Sequence, residues 1–463
     1  MDRFTRRRGA DNENVFEDSY DAVPYPTLPE ARTHPDRLAA VATLFGMKPA
    51  PVARCRVLEL GCGDGGNLIP MAYALPESRF TGIDLAEGAV RRGRRAIGDL
   101  HLGNIAMQAA DVREFDSGWG EFDYIVAHGM YSWVEADVRD ALLAVCGSRL
   151  APQGVVFVSY NAWPGRHVRQ MLREMMLYRT RGAPDREARM REARATLEML
   201  LEARMTPPAW RQMLEREVAL LAASPPGAFW HDDLAPVNQP VYFHEFAAHA
   251  AAHGLEYLGD ADTHLMFDPR GALRELADDW LEREQMLDFL TCRPFRMTLL
   301  CRAGTAPRRG ATPEDMDGFL FAAPEGGLHG VEVARGHRSL ERVTAALADT
   351  YPLPAAFEDL LPYAESRAEL REILFALVTT GFASFHVHDF PCEETVTAFP
   401  RASRLARYQA LDSPLVTNLC HTLVELDEPA RQLLLELDGT RRREAPDDLQ
   451  SVAWMARMAL LEG

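Results

Sequence analysis

A run of glycines set among carboxylates is the part of this 463-residue sequence best suited to hold a ligand. Gly61, Gly63, Gly65 and Gly66 follow a short apolar run over 56–60. Glu59 stands two residues before Gly61, Asp64 lies inside the loop, and Asn67 opens the run behind it. Glycines there allow a tight turn and let the backbone approach a ligand closely. Asp84 closes a second apolar run 21 residues after Gly63, where a carboxylate accepts hydrogen bonds from ribose hydroxyls. Gly61, Gly63 and Gly66 also satisfy G-x-G-x-x-G, so the pattern alone leaves a dinucleotide open. The acids weigh against it. Glu59 and Asp64 would repel a pyrophosphate, whereas acids can hold the ammonium of the methionine part of S-adenosylmethionine (SAM). A loop that binds nothing fits less well, because strand, loop, helix and second acid all fall at the expected places.

Those residues need a scaffold, and the chain supplies one. The pattern predicts strands over 56–60, 80–84, 105–108, 122–127 and 155–160, with helices over 67–75, 88–100 and 137–146 between them. Residues 150–154 read as a turn. Strands alternating with helices imply a parallel sheet covered on both faces, with ligands outside the carboxyl ends of the strands. Gly61, Asp84, Asp111, His128 and Asn161 all lie at such ends. Strands over 254–258 and 295–301 would complete a seven-stranded sheet. Between them and the first five, residues 165–225 read as long helices punctuated by Pro207-Pro208 and Pro225-Pro226. Ahead of the sheet, residues 15–35 form a proline- and tyrosine-rich stretch, read equally as an arm over a neighbouring surface or as a packed connector. A helix over 36–45 follows it. Beyond a linker at 304–309 the chain gives two helix-rich units. The first has a helix over 367–380 and a strand over 382–387, a winged-helix-like order. The second has helices over 415–426, 428–437 and 449–461. Neither is expected to carry a convergent polar cluster.

The formal net charge of −18 argues against tracking nucleic-acid phosphates by bulk electrostatics. It suits a cationic substrate such as a lysine side chain, and it equally suits simple solubility. The hydrophobic and charged fractions, 47% and 25%, are those of an ordinary globular chain. Seven cysteines without a C-x-x-C pair read as reduced core residues of a cytoplasmic protein. The N-terminus lacks the apolar stretch of a secretory signal, and no run approaches a membrane span. No metal is expected. His249 and His253 are one helical turn apart, but no acid or cysteine partner is placed to complete a site, so they read as a solvent-facing pair. His386, His388, Cys392 and Glu393 have a metal-like composition, but strand alternation alone puts the two histidines on one face.

The segments Val57-Leu-Glu-Leu-Gly-Cys-Gly-Asp-Gly-Gly-Asn67, Gly82-Ile-Asp-Leu85 and Asp111-Val112, with the His128 segment, resemble the successive motifs of class I SAM-dependent methyltransferases. A narrower resemblance reaches further. Ser19-Tyr-Asp-Ala-Val-Pro-Tyr25, Thr33-His-Pro35, Ala127-His-Gly-Met-Tyr-Ser-Trp133, Ser159-Tyr-Asn-Ala-Trp-Pro-Gly165 and the segment over 289–301 are similar to bacterial methyltransferases with a methyltransferase regulatory domain. Members of that group include protein-lysine methyltransferases of outer-membrane proteins. The resemblance implies a Rossmann-like α/β sheet with a helical insertion and winged-helix-like C-terminal units. The implied division is an arm and helix over 1–49, a SAM-binding core over 50–165, the insertion over 166–235, completion of the sheet over 236–305 and the C-terminal region over 310–463.

It also implies roles. Glu59, Gly61, Gly63, Asp64, Gly65 and Asn67 would cradle the methionine and ribose, with Asp84 and Leu85 at the ribose. Asp111 and Val112 would take the adenine. His128 would lie beside the methionine end, joined by Tyr20 and His34 from the arm. Methyl transfer is an in-line displacement that needs an aligned, neutral nucleophile. Tyr131, Trp133 and Asn161 fall just past strands four and five, and Tyr25 joins them if the arm folds over the site. For each tyrosine, core packing is an equal alternative. The expected activity is N-methylation of lysine side chains. Small molecules and biosynthetic peptides are alternative acceptors, and a SAM-binding interaction protein is the alternative class.

Overall fold

The computed structural model describes residue 25 and residues 27–462, except 116, 204–206, 268–270, 272, 277–278, 325–336, 391, 393–395 and 444–445. Tyr20 and Glu393 lie outside the described residues.

Seven strands form one sheet: β1 (Arg56–Leu60), β2 (Arg79–Asp84), β3 (Ile105–Ala109), β4 (Phe122–Ala127), β5 (Leu150–Asn161), β6 (Leu255–Asp260) and β7 (Phe295–Arg302). Their order is β3-β2-β1-β4-β5-β7-β6. The first five run parallel, and β7 runs antiparallel to both β5 and β6. Leu58, Leu60 and Ile125 point into one buried layer and Val57, Tyr124 and Val126 into the other, which is why these strands read as continuous apolar runs. The sheet is a Rossmann-like methyltransferase sheet with helices, as the resemblance implied.

One expectation fails in β5. Residues 150–154 are strand, not a turn. Phe122 pairs with Leu150 and Tyr124 with Val155, so β5 carries extra residues that bulge out of register. Pro152 and Gly154 are accommodated in that bulge.

Helix α1 (Pro35–Leu44) packs beneath the sheet and starts at His34, whose Nδ1 accepts from the Asp36 N–H. Helices α2 (Leu68–Ala74), α3 (Glu87–Asp99) and α4 (Ala136–Arg149) connect the parallel strands. Helices α5 (His167–Arg179), α6 (Arg186–Glu202) and α7 (Pro208–Ala223) form the insertion, with a small core of their own around Leu172, Leu197 and Leu221. After Pro225 the chain makes a π-helical turn, Phe229–Asp233. It then returns to the sheet through α8 (Phe243–Ala252) and α9 (Trp280–Thr291).

The C-terminal part begins with strands β8 (Leu320–Ala322), β9 (Ala355–Ala356) and β10 (Ser384–His386) and helices α10 (Arg338–Thr350) and α11 (Arg367–Thr379). Met316, Leu370 and Phe385 share one continuous core with α1 and the sheet. The last part has its own core and comprises β11 (Arg401–Ala402), α12 (Arg404–Gln409), β12 (Leu415–Thr417), β13 (Leu423–Glu425), α13 (Glu428–Glu436), α14 (Pro446–Arg457) and β14 (Leu461–Glu462). Residues 415–426 are a β-hairpin rather than the expected helix. Asn418 closes its turn by accepting from the Cys420 and Thr422 N–H groups, and Gln409 holds Thr417 through both backbone and hydroxyl. Among the described residues no helix is long and apolar enough to cross a membrane.

Candidate functional site

The carboxyl ends of β1, β2 and β4 meet the N-terminal arm at one edge of the sheet. Gly61, Gly63 and Gly65 turn the chain out of β1 at φ of 77°, 56° and 83°, the left-handed region that glycine enters without strain. A methyl group on Gly66 would lie 2.2 Å from the Thr27 carbonyl oxygen, so loop and arm touch through backbone. Thr27 bonds them together. Its hydroxyl accepts from the Gly66 N–H at 3.2 Å and donates to Asp64. The other Asp64 oxygen lies 3.7 Å from Arg92.

Asp84 accepts from the N–H groups of Gly63 and Ala86, each at 2.8 Å, and so pins the glycine loop to the end of β2. Leu85 beside it is exposed. Asp111 caps the turn after β3, and hydrogen bonds from Arg113 hold its carboxyl below the usual range. Val112 is buried.

Glu59 is 4% exposed. Its Oε1 accepts from Asn67 Nδ2 at 2.7 Å, while Oε2 has no partner among the described residues. Burial pushes its carboxyl up to about 8; Asn67 opposes this and the Asp84 charge adds to it. A buried acceptor without a donor at the end of β1, with a second carboxylate at the end of β2, fits the ammonium and ribose ends of SAM. Glu59 and Asp84 would hold those ends. SAM, when bound, supplies an electrophilic methyl group on a sulfonium.

Asn67 joins three parts of the chain. Its Oδ1 accepts from the Glu30 N–H and from His421 Nε2, each at 2.9 Å, and its Nδ2 donates to Glu59 and Thr33. His421 comes from the turn between β12 and β13, at φ 60°, and burial holds it neutral. His34 packs against His421 and Phe390, with ring centroids 5.3 and 5.8 Å away, and so faces the C-terminal part. His386 and the backbone of His388 bond Asp36. The C-terminal units therefore do carry polar groups that converge, against expectation, because their partners lie on α1 and the glycine loop.

On the acceptor side, Asn161 is 1% exposed at the end of β5. Its N–H donates to Ser132 Oγ and its Nδ2 to Asn238 Oδ1, each at 2.9 Å. His128 Nδ1 lies 3.0 Å from Ser159 Oγ, and burial lowers its pKa against the pull of Glu30. Tyr25 reaches Asp232 with its hydroxyl at 3.4 Å. Trp133 buries its indole Nε1 without a partner among the described residues. Tyr131 sits in the core between Tyr160 and Phe246, and its hydroxyl pairs with His249 Nδ1 at 2.8 Å. Asp140 on α4 approaches His253 Nε2 at 2.8 Å and His249 Nε2 at 3.4 Å. These histidines thus have an acid partner and are only half exposed, which corrects their reading as a solvent-facing pair. Thr27, Glu30, Asn238, Asp232 and His421 were not singled out from the sequence; none carries a local signal.

Two expected outcomes follow from the loop. Asp84→Ala should weaken SAM binding by roughly 1–3 kcal/mol, the scale of lost charge-assisted hydrogen bonds; unchanged affinity by calorimetry would remove Asp84 from the cofactor cradle. Glu59 should impose a pH dependence. Its folded pKa is raised, so the folded state keeps a proton that the unfolded chain loses. The stability this group contributes is full below about pH 4.5 and is lost as pH rises through about 8. Glu59→Gln should therefore melt with a smaller drop than the parent between pH 6 and 9, and an equal drop would count against a buried carboxyl here.

Comparison with known proteins gives the same class. Residues 57–154 match a methyltransferase domain, residues 226–302 a predicted methyltransferase regulatory domain, and residues 399–448 the PKMT C-terminal winged helix domain. The chain is 31% identical to the uncharacterized protein RP789 of Rickettsia prowazekii, over 92% of this chain and 84% of that protein. It is 34% identical to the uncharacterized protein RP028 of the same organism, over 49% of this chain and 92% of that one. The structure of PKMT2 from Rickettsia typhi in complex with AdoHcy superposes with a TM-score of 0.83 at 25% identity, over 95% of this chain and 100% of that chain. Sheet order, glycine loop and these matches define a class I SAM-dependent methyltransferase. More narrowly, the chain belongs to the family that joins this domain to a methyltransferase regulatory domain and the PKMT winged helix domain.

Proposed function

We propose that this enzyme N-methylates lysine side chains of a protein substrate, in the cytoplasm, by in-line transfer from SAM. The likeness to PKMT2 over the whole of that chain, C-terminal units included, carries the reading. In it, residues 50–165 bind the cofactor, 166–235 form the insertion, 236–305 complete the sheet and 310–463 serve substrate recognition. Glu59, Asp64 and the glycines hold the methionine end with His128, and Asn67, whose amide is taken up by Glu59, Thr33, Glu30 and His421, positions Glu59 rather than touching the cofactor. Asp84 and Leu85 take the ribose, and Asp111 and Val112 the adenine. Asn161 aligns the amine, with Tyr25 and Trp133 shaping its surroundings, while Tyr131 takes the core-packing alternative, its hydroxyl on His249.

The test is to incubate the enzyme with methyl-labelled SAM and a bacterial lysate, then hydrolyse the labelled proteins. Methyl-lysine in protein bands is expected. Label confined to small metabolites would overturn the lysine reading. The background is low, because the enzyme contains a single lysine, the exposed Lys48.

A further inference from the structure

We infer that Asp232, set on the π-helical turn and reached by Tyr25, is the carboxylate that binds the incoming lysine ammonium and takes its proton before methyl transfer. The inference rests on the lysine reading above.

Asp232 lies at the edge of the cradle by two independent routes. Tyr25, whose hydroxyl is 3.4 Å from Asp232 Oδ2, is two residues from Thr27, which touches Gly66 and Asp64. Two residues span at most about 7 Å. On the other side, Asn161 at the end of β5 donates to Asn238, whose Nδ2 donates to the Asp232 carbonyl at 2.6 Å. Asn161 Oδ1 accepts no hydrogen bond among the described residues. The Asp232 backbone and the Asn161 amide are thus linked through Asn238, which holds a carboxylate-bearing residue and an amide with an unused oxygen in one network past the end of β5. The π-helical turn that presents Asp232 is a rare backbone form that recurs at functional sites.

The neighbouring carboxylate separates structural from functional use. Asp233 is fully buried and neutralised by two hydrogen bonds from Arg169, at 2.8 and 2.7 Å. Asp232 is half-buried, and among the described residues its carboxylate accepts only from Tyr25. Burial raises its pKa to about 7, helped by the Asp233 charge and opposed by Arg169, Arg166 and the Tyr25 hydroxyl. A carboxylate with that pKa can take a proton near neutrality, whereas a free lysine ammonium releases one only near pH 10.

The step balances. One N–H proton of the ammonium passes to Asp232. The freed lone pair forms the nitrogen–carbon bond while the carbon–sulfur bond breaks, its electron pair going to sulfur. The product is an N-methylammonium, and Asp232 returns its proton to solvent.

The test uses the full chain, labelled SAM and the lysate protein fraction that the parent enzyme labels. Asp232→Asn keeps the shape but cannot take a proton. Its labelling rate at pH 7 should fall about 100-fold or more, the usual scale for a general base. SAM affinity by calorimetry should change less than twofold. The residual rate should climb with pH towards 10, while the parent rate levels off above about pH 7. A parent-like rate and profile in Asp232→Asn, with label still on lysine, would overturn the inference and leave the lysine reading standing. Label on a non-amine acceptor in the parent would overturn both. Should Asp232→Asn fail to fold, Tyr25→Phe decides. Losing that hydroxyl should move the parent's pH breakpoint upward, and an unmoved breakpoint would refute the assignment.

Discussion

Arg296→Met is expected to cost about 3–5 kcal/mol of folding stability, the scale for removing one partner of a buried charge network. Arg296 on β7 is fully buried. Its Nε donates to Asp288 Oδ2 at 2.7 Å, its Nη2 to Glu284 Oε2 at 3.1 Å, and its Nη1 lies 3.7 Å from Asp260 Oδ2. Arg293 adds a second cation, 3.2 Å from both Asp288 and Asp260. Three buried carboxylates therefore share these two guanidiniums, with Arg283 at the rim 3.9 Å from Glu284 Oε1. Burial already pushes Asp260 up to about 7 against the pull of both arginines. Methionine fills the space of the stem but leaves the three acids with Arg293 and the more distant Arg283, and Glu284 without its nearest cation. The face of Phe243, 4.1 Å from the guanidinium carbon, would lose its cation as well. Arg296→Lys should recover only part of the loss, because an ammonium cannot fork between Asp288 and Glu284. Against a typical total of about 5–15 kcal/mol, the methionine variant should unfold at a much lower urea concentration. A change below about 1 kcal/mol would show that the cluster does not hold β6, β7 and α9 together.

The sequence exposes what is local and hides what is tertiary. β1 and β4 end where their apolar runs end, because a strand buried on both faces has no other way to be written. The glycine loop is legible for the same reason: its positive φ values require the residue type. Residues 415–426 mislead because Leu415, Leu419 and Leu423 recur at a helical spacing, while Gln409 and Asn418 supply the hydrogen bonds that favour a hairpin. The pairs that complete the site are far apart in the chain. Tyr25 and Asp232 are separated by 207 positions, Asp140 and His253 by 113, and Asn67 and His421 by 354. No periodicity or spacing rule reaches across such distances, which hides both the pairing of Asp232 with Tyr25 and the acid partner of His253.

Asp36→Ala should have the second largest effect, at the seam between α1 and the C-terminal part. Asp36 is 2% exposed. It accepts from His386 Nδ1 at 2.6 Å and from the N–H groups of Val387 and His388 at 2.8 and 2.9 Å. Burial works to raise its pKa, but the His386 charge and hydrogen bond, His34 and the Val387 N–H outweigh it and keep the carboxyl low. Alanine would strand two half-buried backbone donors and an imidazole, at about 3–5 kcal/mol. Asp36→Asn keeps one acceptor and should lose about half of that. The loss should fall first on the seam, as an early calorimetric transition, because β10 meets α1 there through these bonds. The same seam positions His421 over Asn67, and Asn67 holds Glu59. Opening it should therefore weaken SAM binding severalfold as well as lower stability. Lowered stability with unchanged SAM affinity would mean that the C-terminal part only covers the glycine loop and does not hold its side chains in place.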